Sequence, residues 1–245
     1  MDMHNISVVV PAYNEERLLA SSLEAIRDSC VQFEKRGWTW ELVVCDNNST
    51  DRTAQIAQAA GARVVFEPVN QISRARNAGA AAATGDWLIF VDADSAPGRG
   101  LFSEVAGTIA AGRCVAGGST VAFPGDTALA PRLVVAAWNL VSRATKWAAG
   151  SFMLCEAAAF RAVGGFSEAL YASEEIELFR RVKRFARRER CSVVILHRHP
   201  LLTSARKVRL YGWGELGMFA LKTIAGRGRT LRSRDACYSW YDGRR

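Results

Sequence analysis

"WLIFVDADSAP", residues 87–97, poses the problem of this chain: an uncharged apolar run delivers two aspartates one residue apart, Asp92 and Asp94, and stops at Pro97. A strand covered on both faces of a parallel sheet reads as such a run, and ligands of open α/β sheets sit outside the carboxyl ends of the strands. Asp92 and Asp94 are therefore expected at the rim of a site. If the chain stays extended there, both carboxylates point to one face.

On the N-terminal side the pattern alternates. "ISVVV" (6–10) is a β-branched strand ended by Pro11, and a helix is expected over 15–33 from Leu18, Leu19, Leu23 and Ile26. "WELVVCD" (40–46) is a second strand, and "NNSTD" (47–51) supplies cap-type residues for a helix that stops at Gly61. "RVVFE" is a third strand, and the alanine-rich stretch 73–86 a helix leading into the fourth strand. Strands alternating with helices imply right-handed crossovers and a parallel sheet.

Beyond Pro97 the expected elements are a helix over 100–111, a strand in 113–123, a helix over 127–147, a strand in 150–155, a short helix broken at Gly164-Gly165 and an amphipathic helix opening at Glu174-Glu175. "CSVVIL" is read as the last strand and "HRHPLLTSARK" as a loop. The fold class is α/β, a mostly parallel central sheet with helices on both faces, in a single domain over 1–205. Residues 1–96 form a nucleotide-binding half, 97–205 an acceptor half, and 206–245 a basic helix and tail.

Composition excludes several classes. Nothing in the chain is of low complexity, and the six cysteines are scattered without a CxxC pair, as buried thiols in a reducing cytosol would be. The N-terminus lacks the basic start and apolar core of a signal peptide, and the most apolar region, 133–155, is interrupted by Arg143 and Lys146, so neither export nor a membrane span is expected. A cytoplasmic location follows. Residues 1–197 carry 21 basic and 21 acidic side chains, whereas 198–245 carry 11 and 3, so the tail supplies the whole net charge of +8. With Tyr211, Trp213, Leu216, Met218, Phe219 and Leu221 it is expected to make peripheral contact with a membrane, at its inner face. No helix-turn-helix, finger or RNA-binding signature accompanies the charge, so nucleic acid is not a partner.

The chemistry concentrates at strand ends. A nicotinamide-type fold would carry G-x-G-x-x-G after the first strand, but "PAYNEE" (11–16) has no glycine, which also argues against a nucleotidyltransferase with a glycine-rich loop. Tyr13, Glu15, Asp46, Asp92 and Asp94 fall just past consecutive strands, and five such groups on one sheet edge describe a cleft. Asp46 can accept hydrogen bonds from a base or a ribose, while Asn48, Ser49 and Asp51 also suit the start of the following helix. Paired carboxylates are hard ligands suited to Mg2+ or Mn2+, which commonly takes up substrate phosphates as well.

With these landmarks in order, the chain resembles the family-two glycosyltransferases of the GT-A fold. "VVVPAYNE", "VVCDNNSTD", "SRARNAGAAAATGDWLIFVDADS", "GGFSE" and "SEEIELFRRV" carry the likeness over roughly residues 5–205. The resemblance implies a nucleoside-diphosphate sugar donor of UDP or GDP type and a metal-dependent, inverting transfer to an acceptor hydroxyl, the acceptor being a sugar or lipid-linked. It implies that Pro11, Ala12, Tyr13, Glu15, Asp46 and Asn48 line the donor site, that Arg76 approaches the donor, and that Asp92 and Asp94 hold ribose and metal.

One landmark departs from the pattern. Where the family normally shows Glu-Asp, the aspartate being the base, this chain has Glu174-Glu175. Glu175 is the expected base, with Glu174 the alternative, and a non-catalytic nucleotide-sugar-binding protein is the competing reading. His199 is the expected third metal ligand, and Arg206, with Lys207, an expected clamp on the diphosphate. Trp138, Trp147, Phe152 and Met153 are expected in the core rather than in an acceptor site. No QxxRW stretch follows, which argues against a processive polysaccharide synthase.

Overall fold

The computed structural model describes residues 3–125, 127–204, 229–237 and 241. Eight strands and seven α-helices occur among them, in the order β1 (Asn5–Ala12), α1 (Leu19–Glu34), β2 (Thr39–Asp46), α2 (Thr53–Ala59), β3 (Arg63–Phe66), α3 (Ile72–Ala82), β4 (Trp87–Val91), β5 (Ser95–Ala96), α4 (Arg99–Ala110), β6 (Cys114–Ala122), α5 (Leu129–Thr145), β7 (Phe152–Glu156), α6 (Ala157–Ala162), α7 (Glu174–Arg188) and β8 (Ser192–Thr203). The strands form one sheet in the order β3-β2-β1-β4-β7-β6-β8-β5. Pairing is parallel among β1, β2, β3 and β4 and between β6 and β8, and antiparallel where β7 joins β4 and β6 and where β5 joins β8.

The apolar runs are continuous because both faces are covered. In β1, Ile6, Val8 and Val10 pack with α1 and α4 residues such as Leu23, Phe33 and Phe102, while Val9 faces the opposite layer with Phe160, Phe179 and Val182. Side chains alternate across a strand, so one run feeds two cores. Phe152 and Met153 lie in those two cores, and Trp138 and Trp147 pack against them. All six cysteines are free, and all but Cys191 are buried. Among the described residues, no helix is long and apolar enough to cross a membrane.

Three differences from expectation have physical causes. Helix α1 begins at Leu19, not residue 15, because the Glu15 carbonyl already accepts from both Leu18 and Leu19 N–H in a turn that precedes the helix. Strand β8 runs on to Thr203 instead of ending at Leu196. His197–Pro200 form an exposed irregularity, after which Leu201 re-enters the core and pairs with Val121. Finally, the chain does not stay extended after Asp92: Ser95 N–H donates to Asp92 O, a tight turn that leads into the two-residue strand β5.

That turn shapes the molecule. Strands β4 and β5 stand fourth and eighth in the sheet, which in a flat sheet is about 19 Å of strand spacing, yet the four residue steps from Val91 to Ser95 reach at most about 14 Å. The sheet must curl, and the Asp92–Asp94 turn spans the resulting concavity.

Candidate active site

Strand order reverses at β1, whose neighbours are β2 and β4, and the crevice beyond their carboxyl ends is the natural binding position in such a sheet. Two loops floor it and lock each other. Asn14 N–H donates to Ser49 Oγ (3.0 Å), Thr50 N–H to Asn14 Oδ1 (2.8 Å), Glu15 N–H to Thr53 Oγ1 (2.8 Å) and Glu16 N–H to Asp51 Oδ2 (3.1 Å). Asn14 and Asn48 both take left-handed backbone conformations, which asparagine tolerates. Pro11, Ala12, Glu15 and Asp46 are buried, Tyr13 is half-buried and Asn48 is exposed. Asp46 accepts from Ser49 N–H at 3.1 Å, so this carboxylate braces its own loop.

Helix α3 carries the centre. Arg76 is 1% exposed, and both of its terminal nitrogens are engaged: Nη1 donates to Glu174 Oε1 (2.6 Å), Nη2 to Asp92 Oδ1 (3.0 Å) and to Gly150 O (2.8 Å). Expected at the donor, Arg76 thus stands behind the carboxylates as a strut. Burial opposes its charge, but Asp92, Glu174 and Glu175 hold it protonated more firmly than in water. Asp92 and Glu174, 82 residues apart in the chain, meet through this one guanidinium.

Glu174 and Glu175 begin α7, whose preceding residue Ser173 has left-handed backbone angles. Glu174 is buried in the Arg76 pair. Glu175 is half-buried with its side chain over Gly150, where an added Cβ would stand 3.6 Å from Glu175 Cδ and 3.4 Å from Arg76 Nη2. Burial, reinforced by the charge of Glu174 and opposed by Arg76, pushes the Glu175 carboxyl up to about 8. The two glutamates therefore differ in kind. One is committed to an ion pair, and the other is a carboxylate whose proton affinity its surroundings raise.

The loop ahead of α7 is fixed from α3. Gln71 Nε2 donates to Glu168 O (2.7 Å) and Leu170 O (2.9 Å), while Asn77 Nδ2 donates to Phe166 O (2.9 Å) and Asn77 Oδ1 accepts from Phe166 N–H (2.9 Å). Gly165 takes φ +65, and a Cβ there would lie 2.8 Å from Asn77 Oδ1, so glycine is required. Gln71, Asn77 and Asn47 escaped the sequence reading. Asn47 is buried and ties β2 to the loop beyond β3, donating to Glu67 O and Val69 O and accepting from Gln71 N–H. Their only signal was an amide between an apolar strand or helix and a loop.

The turn separates the two aspartates. Asp92 faces Arg76, whereas Asp94 accepts from the Ser204 hydroxyl and, through its carbonyl, from Ser204 N–H. His199 lies on β8 with Nδ1 2.7 Å from Glu104 Oε1, and its ring packs over Gly100 of α4. Among the described residues no three His, Cys, Asp or Glu side chains form a ready metal cage. Two rim carboxylates, both partly exposed, nevertheless fit a hard cation that shares its shell with substrate phosphates. Arg206 and Lys207 lie outside the described residues, as does the apolar stripe expected in the tail at 211–221.

A curled α/β sheet with this carboxylate-lined crevice defines a GT-A domain, the architecture of nucleotide-sugar transferases. The structure resembles a mannosyltransferase from Pyrobaculum calidifontis in complex with GDP-Man and Mn2+, with TM-score 0.68 and 19% identity over 97% of this chain and 65% of that one. It also resembles glucosyl-3-phosphoglycerate synthase from Mycobacterium tuberculosis, in complex with Mn2+, UDP and glucosyl-3-phosphoglycerate, with TM-score 0.62 and 24% identity over 91% of this chain and 80% of that one. At these identities the likeness is one of fold. The chain belongs to glycosyl transferase family 2, whose family model matches residues 7–162. Among curated relatives, an undecaprenyl-phosphate 4-deoxy-4-formamido-L-arabinose transferase of Pectobacterium carotovorum is 34% identical over 100 residues, 38% of this chain and 30% of that protein. Such matches span from 21% to 39% of the relatives' lengths.

Proposed function

We propose that the protein is an inverting glycosyltransferase that moves a sugar from a nucleoside diphosphate, of UDP or GDP type, to an acceptor hydroxyl. The observation that carries this reading is the Arg76 bridge, which ties the Asp92 turn to Glu174 at the start of α7, beside Glu175, in the switch-point crevice. The ligands named with similar structures, the sugar donor GDP-Man and the nucleotide UDP, support the nucleotide part.

In this reading Pro11, Ala12, Tyr13, Glu15, Asp46 and Asn48 form the nucleoside pocket. Asp94, with Asp92, would hold Mn2+ or Mg2+ together with the donor phosphates, and such an ion would supply positive charge against the departing diphosphate. Glu175 accepts the acceptor's hydroxyl proton as the oxygen bonds to the anomeric carbon and the bond to the diphosphate breaks on the opposite face. A base with its pKa near the working pH combines an available proton site with sufficient driving force, and the surroundings of Glu175 tune it in that direction. Glu174 is a positioning residue, because its carboxylate serves Arg76.

Replacing the two glutamates in turn tests the assignment. Glu175→Gln should lower transfer by at least about 10²-fold while nucleotide affinity stays at the parent level. Glu174→Gln should act mainly on stability, by weakening the pair with Arg76. Full activity in Glu175→Gln would remove the proposed base, and nucleotide binding without turnover in the parent would favour a binding protein that retains the cleft.

A further inference from the structure

Helix α5 turns an apolar face to solvent. Leu129, Leu133, Val134, Leu140 and Val141 are 69%, 60%, 52%, 67% and 44% exposed, whereas Pro131 and Ser142 are the helix's only buried residues. The five recur at four- and seven-residue spacings and so share one side, with the exposed Ala130, Ala137 and Ala144 between them. Five large apolar side chains along one 17-residue helix form a contiguous patch of the kind that marks an interaction surface.

The charges on the helix itself are of one sign. Residues 127–155 contain Arg132, Arg143 and Lys146 and no aspartate or glutamate. Arg132 and Arg143 are eleven residues apart, three helical turns, and fall on the same edge of the apolar arc. At the C-terminal end α7 adds more cations: Lys183 Nζ donates to Thr145 O at 2.8 Å, Arg180 and Lys183 lie over the Trp147 ring, and Arg184 and Arg187 are exposed beyond them.

We propose that α5 docks in the plane of an anionic bilayer, its leucines and valines among the acyl chains and its flanking arginines on lipid phosphates. Charge decides between this and a second copy of the chain. A symmetric dimer through α5 would set Arg132, Arg143 and Lys146 against their own equivalents with no carboxylate on the helix to pair them, whereas an anionic membrane supplies the counter-charge along the whole edge. A helix with an apolar face bordered by arginine and lysine is also the form in which chains lie on membranes without crossing them. The inference does not depend on the transfer reaction.

Co-sedimentation of the full chain with vesicles tests it, using mixed phosphatidylglycerol and phosphatidylcholine against phosphatidylcholine alone. The parent should sediment with the anionic vesicles and release as salt is raised. Leu133→Gln with Leu140→Gln should weaken binding at least about tenfold, and Arg132→Gln with Arg143→Gln at least about fivefold on the anionic vesicles. All four side chains are exposed, so an unchanged melting temperature shows that the fold is intact. A parent that stays in the supernatant overturns the proposal, and so does binding that neither pair reduces, which would place the contact elsewhere. A lipid-free dimer that the leucine pair dissolves would assign the face to a second copy.

Discussion

Burying a guanidinium is costly unless its charge and hydrogen bonds are met, and Arg76 offsets that cost through its terminal nitrogens, with two carboxylates and a carbonyl, while its buried Nε has no partner among the described residues. Removing it strands Glu174 in the interior. Arg76→Met should therefore destabilise the protein by about 3–5 kcal/mol, read by urea unfolding. Arg76→Lys should recover only part of the loss, because a point charge cannot bridge Asp92 and Glu174 as a planar fork does. Glu175 makes stability depend on pH. Its folded pKa, about 8, lies above the ordinary 4.5, so the folded state binds the proton more tightly than the unfolded chain. The stability tied to that proton is present in full below about 4.5 and is lost as pH rises towards about 8. Glu175→Gln abolishes this dependence and should gain on the parent between pH 5 and 8 in thermal melts. A difference constant across that range would contradict the shifted pKa.

Helix α3 organises the site from below: Arg76 points into the cluster, and Gln71 and Asn77 hold the loop that delivers α7. Gln71→Ala takes the donor from the carbonyl of Glu168 and leaves that of Leu170 with the Ser73 hydroxyl alone. It should cost about 1–3 kcal/mol and speed amide exchange across 166–173, whereas protection at parent level there would assign the loop's order to other contacts. Much of this element's role was legible. The alternation of strands and helices, the crevice at their carboxyl ends and the glutamate pair opening α7 follow from periodicity and cap chemistry. The amides were not legible, since nothing local distinguishes an asparagine that clamps a remote carbonyl from one that faces water. The turn at Asp92 and the continuation of β8 past Pro200 depend on curling and cross-strand register, which are set by partners far away in the chain.

At the scale of the molecule, the chain returns to its own site. Leu231 O accepts from Tyr171 N–H, the Tyr241 hydroxyl donates to Tyr171 O at 3.0 Å, and Cys237 and Tyr241 are buried with Ala172 just before α7. Burial and the nearby charge of Glu174 both push the Tyr241 phenol up, so its hydroxyl stays protonated as a donor. Within the expected tail of 206–245, residues 229–237 and 241 thus brace the segment that leads into α7. Tyr241→Ala should lower stability by about 3–5 kcal/mol, as truncation of a buried aromatic does, and urea unfolding would show it. The curl that joins β4 to β5 carries the Asp92–Asp94 turn to the crevice, where the proposed function has both aspartates serve a nucleoside diphosphate and a divalent ion. The direct measurement is a thermal-shift titration of nucleoside diphosphates with and without Mn2+, on the parent and on Asp94→Asn. One nucleotide, at 100 times its dissociation constant, should stabilise the parent by about 2.7 kcal/mol, and the Mn2+-dependent part should vanish in the variant. No shift with any nucleotide, or an equal Mn2+-dependent shift in both proteins, would contradict it.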